Sequence, residues 1–440
     1  MAMKKKRPEA PILPEERFTG TVTAAGKQFP IEFTLFIGPD CRLRFDVDPI
    51  SPQDHTVLCG ADGRPGLQAE EFSLESRSDS GRELASEHIS LSGWSYDKDG
   101  YRITVSAREA VLKCPLETPV AKPALRLWFR GYRSFRNPPV KTRLGPLQVF
   151  GEAESVGSDA LSGGVVIEAP TAEPGAEWRE QADALLDHMH WGLTLAHGGR
   201  LQAPRVDYAE GSTEEVTFYD GVGFRSEFPV FERLHQQPFI QALAECYERN
   251  GGALPADLRK SLDWMRIETT YDELRFVTAM TALEALVNGN LPKSKRGGTI
   301  IPKTVFKKLR KALDEVLDAS NVLADYEPMR ERFKKRISEI NRRPLNDKLQ
   351  VLFEHHQIPA DDFTGNEIRR MTAIRNEIIH YGEVPDTVKI DDRAEPVDIM
   401  ANIILARELI TRILLREIGF SGRYYCYIGG RHDRTLPPIV

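Results

Sequence analysis

Arg375, Asn376 and His380 lie within six consecutive residues, Arg375-Asn376-Glu377-Ile378-Ile379-His380. Each side chain suits one part of a phosphoryl-transfer site. An imidazole has an unperturbed pKa of about 6.5, so near neutral pH it can both take and give a proton. A guanidinium stays charged and grips phosphate oxygens with a planar fork. An amide can orient either group. A polymer that carries its own nucleophile, such as the 2′-hydroxyl of RNA, needs little more than these and no metal.

Such chemistry needs a rigid element, and the surrounding sequence reads as a helix over Asn366 to Gly382. Thr364 and Glu367 have the spacing of a capping box. Gly382 stands where a terminal glycine ends a helix, and Pro385 follows shortly after. Ile368, Met371, Ile374 and Ile378 recur at three- and four-residue steps, the stripe of a helix packed on one side. Asn376 and His380 are four apart and share a face, with Arg375 on its flank. His380 falls in the last turn, where the helix dipole favours a cation. No other histidine of the chain has an arginine five residues before it.

About ninety residues upstream, a second helix is predicted over Tyr271 to Asn288. Thr270 and Glu273 suggest a capping box. Leu274, Val277, Met280, Leu283 and Val287 form its core stripe, and Asn288-Gly289 its end. It contains Ala282-Leu283-Glu284-Ala285-Leu286, in which Glu284 is a candidate polar support for Arg375. Between the two helices the chain is basic. From Leu291 to Gln350 there are 16 Lys and Arg against 8 Asp and Glu, a local +8 in a chain of net −6, so the remainder carries −14. This asymmetry points to a local anionic partner. The candidate contacts for such a partner are Lys293, Lys295, Arg296, Lys303, Lys307, Lys308, Arg310, Lys311, Arg342 and Arg343.

The Arg–four residues–His spacing, with Asn directly after the Arg, resembles the motif of HEPN domains. These are all-helical and often act as metal-independent ribonucleases. The order of a strand-rich first domain and a helical second one resembles the ApeA family of bacterial anti-phage proteins, most specifically over 270–420. The resemblance implies an endoribonuclease acting in abortive infection on cellular RNA, with tRNA one candidate. Its catalytic residues would be Arg375, His380 and Asn376, and its products would end in 2′,3′-cyclic phosphate and 5′-hydroxyl. It implies a homodimer in which two motifs face each other across a two-fold axis. No cofactor and no metal are implied. A non-catalytic HEPN-type RNA-binding or scaffold protein is the alternative, and a metal-dependent nuclease a third.

The rest of the sequence frames this site. Phe18 onward alternates with period two: Ile31, Phe33 and Leu35, a Gly38-Pro39-Asp40 turn, then Leu43, Phe45 and Val47. Further strands are predicted at 88–94, 101–107, 125–130, 147–150 and 165–168. The fold class expected is α+β: an antiparallel β-rich domain, sandwich or barrel, over 16–170, then an all-α HEPN-like bundle over 270–420. A disordered tail is expected over 1–15, a helical connecting region over 171–269 and a tail over 421–440. His188, His190 and His197 are metal-ligating residue types, but helical spacing turns the first two to different sides. The five cysteines form no C-x-x-C pair, which argues for reduced thiols. No apolar run reaches membrane-spanning length and no apolar stretch follows the basic start, so a cytoplasmic protein without membrane contact is expected. The strand-rich domain is the place expected to receive a phage-derived trigger.

Overall fold

The structure, a computed structural model, describes the chain apart from residues 1–12, 14, 25–26, 39–40, 42, 52, 54, 56–71, 99, 135–136, 152–160, 221–224, 227, 233–234, 253–255, 265–266, 268, 293–298, 324–325 and 439–440. Most of the tail expected over 1–15, the turn residues Pro39, Asp40 and Asp99, and Cys59 therefore lie outside the described residues. By internal contacts the chain divides into two units, Met1–Leu254 and Pro255–Val440.

The first unit is built on alternation. In β2 (Lys27–Ile37) every second side chain from Phe29 to Leu35 is buried. With β1 (Glu16–Ala24), β3 (Leu43–Ile50), β4 (Phe72–Ser78), β5 (Glu83–Asp97) and β6 (Gly100–Pro115) it forms an antiparallel run, β3-β2-β1-β4-β5-β6. β3 also pairs with β6, from Arg44 opposite Ser106 to Ile50 opposite Tyr101, so the six strands close into a barrel. Closure removes the free edges a sheet would otherwise expose. Phe18, Phe33 and Phe45 stack through the barrel interior.

β6 is long enough to serve two sheets. Its second half pairs with β13 (Thr213–Tyr219), from Glu109 opposite Tyr219 to Pro115 opposite Thr213. From there the sheet continues through β12 (Arg205–Glu210), β7 (Ala124–Arg130), β10 (Leu161–Glu168), β9 (Gly145–Gly151) and β8 (Val140–Thr142). Helices α1 (Trp178–His197) and α2 (Gln237–Arg249) pack on this second sheet. A short pair, β11 (Gly199–Arg200) with β14 (Arg225–Ser226), joins them. The segment read as a helical connection over 171–269 is thus mixed. Its strands at 205–219 are short and only half alternating, too weak a period to register beside the helices around them. Where β5 bulges against β6, Glu83, Glu87, His88, Glu109, Lys113 and Glu215 line an acidic cleft of about 440 Å³.

The second unit is helical. Its centre is α4 (Asp272–Asn290), against which α3 (Ala256–Trp264), α7 (Leu345–His356), α8 (Gly365–Tyr381) and α9 (Ile399–Ile418) all pack. Two helices, α5 (Lys303–Ala319) and α6 (Glu327–Ile340), form a hairpin whose feet are tied together. The Ile300 N–H donates to the Asn341 carbonyl at 2.9 Å, and the Asn341 amide reaches the Ile301 carbonyl at 3.0 Å. β15 (Thr387–Ile390) and β16 (Arg393–Pro396) form a hairpin between α8 and α9, and β17 (Gly422–Cys426) and β18 (His432–Leu436) another after α9. The residues 421–440 read as a tail contain that last hairpin, with Tyr424 and Leu436 buried. The architecture is the expected one, an antiparallel β-barrel and sheet followed by a helical region.

Several sequence expectations need correcting at this level. α4 begins at Tyr271 without a side-chain cap, so Thr270 and Glu273 make no capping box; the Tyr271 N–H goes to the Thr269 hydroxyl at 3.1 Å. Met280, Leu283 and Val287 are buried, but Leu274 is 51% exposed and Val277 only half-buried. α4 is apolar around most of its circumference, so periodicity alone admits more than one buried face. α9 is capped by Asp398, whose carboxylate accepts from the Ala401 N–H at 3.0 Å, while Pro396 ends β16.

Candidate active site on helix α8

α8 forms where the sequence places it and for the reasons the sequence states. Thr364 and Glu367 close a capping box, and Gly382, at φ 83°, ends the helix in the left-handed region that favours glycine. Ile368, Met371, Ile374 and Ile378 are the buried residues of the helix. Burying that stripe fixes the rotation of α8 about its axis, which turns Asn376 and His380 into solvent. Arg375 lies between these faces, its side chain one-quarter exposed.

Arg375 is held by Glu284 of α4. Its Nη2 lies 3.6 Å from the Glu284 carboxylate, whose side chain is 35% exposed. Its Nε is buried and has no hydrogen-bond partner among the described residues. The guanidinium therefore has one arm engaged and donor capacity its own fold leaves unused. His380 lies at the exposed carboxy-terminal turn, its ring 6.5 Å centroid to centroid from that of Tyr381. Two large apolar side chains beside it, Ile379 at 51% and Tyr381 at 74% exposure, also face water.

Other contacts hold α8 from outside its own sequence. Arg369 pairs with Asp391 at 2.7 Å and Arg370 with Glu395, so the β15–β16 hairpin clamps the first half of the helix. The loop before the cap is fixed by α9. The fully buried Arg412 donates to Glu408 at 2.8 Å, to the Pro359 carbonyl at 2.6 Å and to Asp362, and lies over the Phe363 ring at 4.7 Å. Arg416 donates to the Gln357 carbonyl at 2.7 Å and the Pro437 carbonyl at 2.6 Å. Tyr424 completes the group, donating to Glu408 at 2.8 Å. Burial pulls the Asp362 carboxyl upward, but hydrogen bonds from Arg412 and Arg434 outweigh it and leave it below its ordinary value. Burial, then the Glu408 charge, push the Tyr424 hydroxyl up, so it remains a donor. Sequence reading passed over this network. Its trace in the sequence is Glu408 and Arg412 four apart, with Arg416 four further on, in a helix that is apolar at most other positions.

The basic residues divide in three. Lys293, Lys295 and Arg296 lie outside the described residues. Lys303, Lys307, Lys308 and Lys311 are exposed on α5, with Lys311 3.8 Å from Glu315 and Arg310 3.7 Å from Asp314. Arg342 is exposed, whereas the half-buried Arg343 donates to the Thr299 carbonyl at 3.3 Å and helps tie the hairpin feet. The α1 histidines are engaged within the first unit. His188 Nε2 meets the Leu243 carbonyl at 2.8 Å and His190 Nε2 the Leu201 carbonyl at 2.6 Å, while His197 is buried. Among the described residues no group of His, Cys, Asp and Glu is arranged to hold a metal. No helix among them is long and apolar enough to cross a membrane.

A helical bundle that presents an Arg and a His from one helix is the arrangement of the HEPN class. Residues 277–424 match the family model described as Apea-like HEPN, so the second unit carries an Apea-like HEPN domain. The match suggests a HEPN-type, nuclease-like role, since HEPN domains are typically ribonucleases that dimerise and bind RNA. Neither the curated proteins nor the solved structures compared include a match to this chain.

Proposed function

We propose that this protein is a metal-independent endoribonuclease of the HEPN type that acts in anti-phage defence by cutting cellular RNA. The observation that carries the reading is α8 itself, which presents an exposed His380 and a half-buried Arg375 from one helix of an Apea-like HEPN domain. In the reaction an imidazole takes the proton of a ribose 2′-hydroxyl, whose oxygen attacks the adjacent phosphorus. The bond to the 5′-oxygen breaks, and an imidazolium gives that oxygen a proton. The products are a 2′,3′-cyclic phosphate and a 5′-hydroxyl. Arg375 carries the charge that builds on the phosphoryl oxygens, and Asn376 orients the phosphate or the ring.

One histidine cannot begin the cycle as both base and acid, so the reading calls for two copies with paired motifs. An isologous interface places the same helix on both sides automatically. The exposed Ile379 and Tyr381 beside the motif support such a contact, because apolar side chains next to a functional face gain from being covered. The exposed lysines of α5 and Arg342 supply phosphate contacts, and Glu284 positions Arg375. The β-rich region over 16–170 serves as sensor or restraint in a cytoplasmic protein, and tRNA is one candidate substrate.

The test is incubation of the purified protein with total RNA in EDTA. Cleavage should persist in the parent protein and vanish in His380→Ala and Arg375→Ala. RNA binding without cleavage in all three proteins would favour the scaffold reading, and cleavage that EDTA abolishes would favour a metal-dependent nuclease.

A further inference from the structure

The α5–α6 hairpin owns more apolar surface than it uses. No residue of α5 is fully buried. The half-buried Phe306, Leu313 and Leu317 mark the side turned to α6. A second stripe runs beside them, with Val305 at 52%, Leu309 at 46% and Val316 at 66% exposure. Ala312 and Ala319, both exposed, complete it. The steps from 305 to 319 are four, three, four and three, the seam of a helix that pairs with another helix. By the same period Lys303, Lys307 and Arg310 lie on the opposite side of α5. Met329, Phe333 and Ile340 of α6 are also exposed and fall on the side of the hairpin where the stripe lies.

We propose that this stripe is covered by the same stripe of a second copy, α5 against α5, antiparallel about a two-fold axis at Ala312. Three features select this occupant. Ala312 is the small residue at the middle of the seam, where two helices crossing a symmetry axis come closest. The charges of α5 are polarised along it: Lys303, Lys307, Lys308, Arg310 and Lys311 come first, then Asp314, Glu315 and Asp318. An antiparallel pairing sets each half against its opposite, whereas a parallel one sets like against like. Lys308 and Glu315, seven apart, flank the same edge of the stripe. With Ala312 on the axis, Lys308 of one copy stands across from Glu315 of the other, twice by symmetry. A nucleic acid would call for lysines at the centre of the face, whereas Lys303, Lys307 and Arg310 lie on the far side and Lys308 only at the edge.

This inference does not rest on the reading of α8, and the full-length protein tests it. Multi-angle light scattering of Leu309→Lys at micromolar concentration should give half the molar mass of the parent, with an unchanged far-UV circular dichroism spectrum because Leu309 is a surface residue. Lys308→Glu should weaken the association by at least tenfold. Adding Glu315→Lys should restore it, since the swapped charges again oppose each other. Ala312→Cys should form a covalent dimer with diamide, while Lys307→Cys and the parent protein should not; the described native cysteines are all buried. An unchanged mass for Leu309→Lys together with no cross-link at position 312 would overturn the pairing. So would loss of RNA retention by Leu309→Lys at unchanged mass, which would make the stripe a nucleic-acid surface. Either result would leave the cleavage assays on His380 and Arg375 to stand or fall by themselves.

Discussion

Glu284→Gln separates positioning from stability at the candidate site. The Glu284 carboxylate stands 3.6 Å from Arg375 Nη2, and the two side chains are 35% and 25% exposed. At that distance the gross attraction runs from about 1 kcal/mol at the dielectric of water to about 5 kcal/mol at an effective value near 20. Solvent reaches both groups, so the net worth falls to the surface range of about 1 kcal/mol or less. Unfolding should therefore shift by at most a few degrees. Catalysis should suffer more. Releasing the guanidinium frees a side chain whose rotamer entropy is about 2 kcal/mol when fully mobile. Re-ordering it at the transition state lowers kcat by roughly tenfold, with about thirtyfold the ceiling. KM should stay constant or fall, because a negative charge has left the neighbourhood of a bound phosphate. The assay is steady-state cleavage of a defined RNA in EDTA beside a thermal melt. An unchanged kcat with a raised KM would refute the reasoning, since it would make Glu284 a substrate contact. A melt lowered by ten degrees or more would refute it in another way, by making the pair structural.

Arg412→Met leaves the buried Glu408 carboxylate with the Tyr424 hydroxyl alone and takes one of two arginines from Asp362, around a fully buried position, so urea unfolding of the helical unit should lose about 3 kcal/mol; a loss below about 1 kcal/mol would show that the network does not hold the loop before α8. His197 is buried, and desolvation, with Arg133 adding, takes its pKa down to about 3. The unfolded chain then binds the proton more readily, so stability is whole above about pH 6.5 and falls by about 1.4 kcal/mol per pH unit below it, reaching about 2 kcal/mol at pH 5.0. Urea melts of parent and His197→Leu at pH 7.5 and 5.0 check this, read by tryptophan fluorescence; Trp94, Trp128, Trp178 and Trp191 report on the first unit. The parent should lose more than the variant by that amount, and parallel losses would contradict the assignment. Lys307→Gln with Lys311→Gln should weaken single-stranded RNA binding and lower the slope of log K against log salt by about 1.4, the value for two phosphate contacts. An unchanged slope would place the RNA elsewhere.

How much of this was legible in the sequence follows from where each signal lives. α8 was legible throughout, because its cap, its stripe and its terminal glycine are local and agree with one another. The paired strands of the barrel were legible for the same reason, since alternation over β2 and β3 is strict. Closure of β3 on β6 was not, because it joins residues more than fifty positions apart and leaves no periodic trace. The cap assigned to Thr270 failed because a T-x-x-E spacing states only an opportunity, and the backbone enters α4 one residue later. The Glu284–Arg375 approach could be suspected but not ranked above solvent exposure, since nothing local sets how α4 and α8 rotate toward each other. Arg412 was hidden by its setting: with Arg407, Glu408, Arg416 and Glu417 on the same helix it reads as one of several solvent-facing charges until the partners of the arginine, fifty residues away, are in place.

The most direct measurement is the chemistry of the new RNA ends made in EDTA. After digestion of total RNA, polynucleotide kinase should label the fragments without phosphatase treatment, because the cut leaves 5′-hydroxyls. The His380→Ala protein should yield no label above background while keeping the parent's melting temperature, since His380 is exposed. Fragments that carry 5′-phosphates, or equal labelling by parent and His380→Ala, would contradict the account.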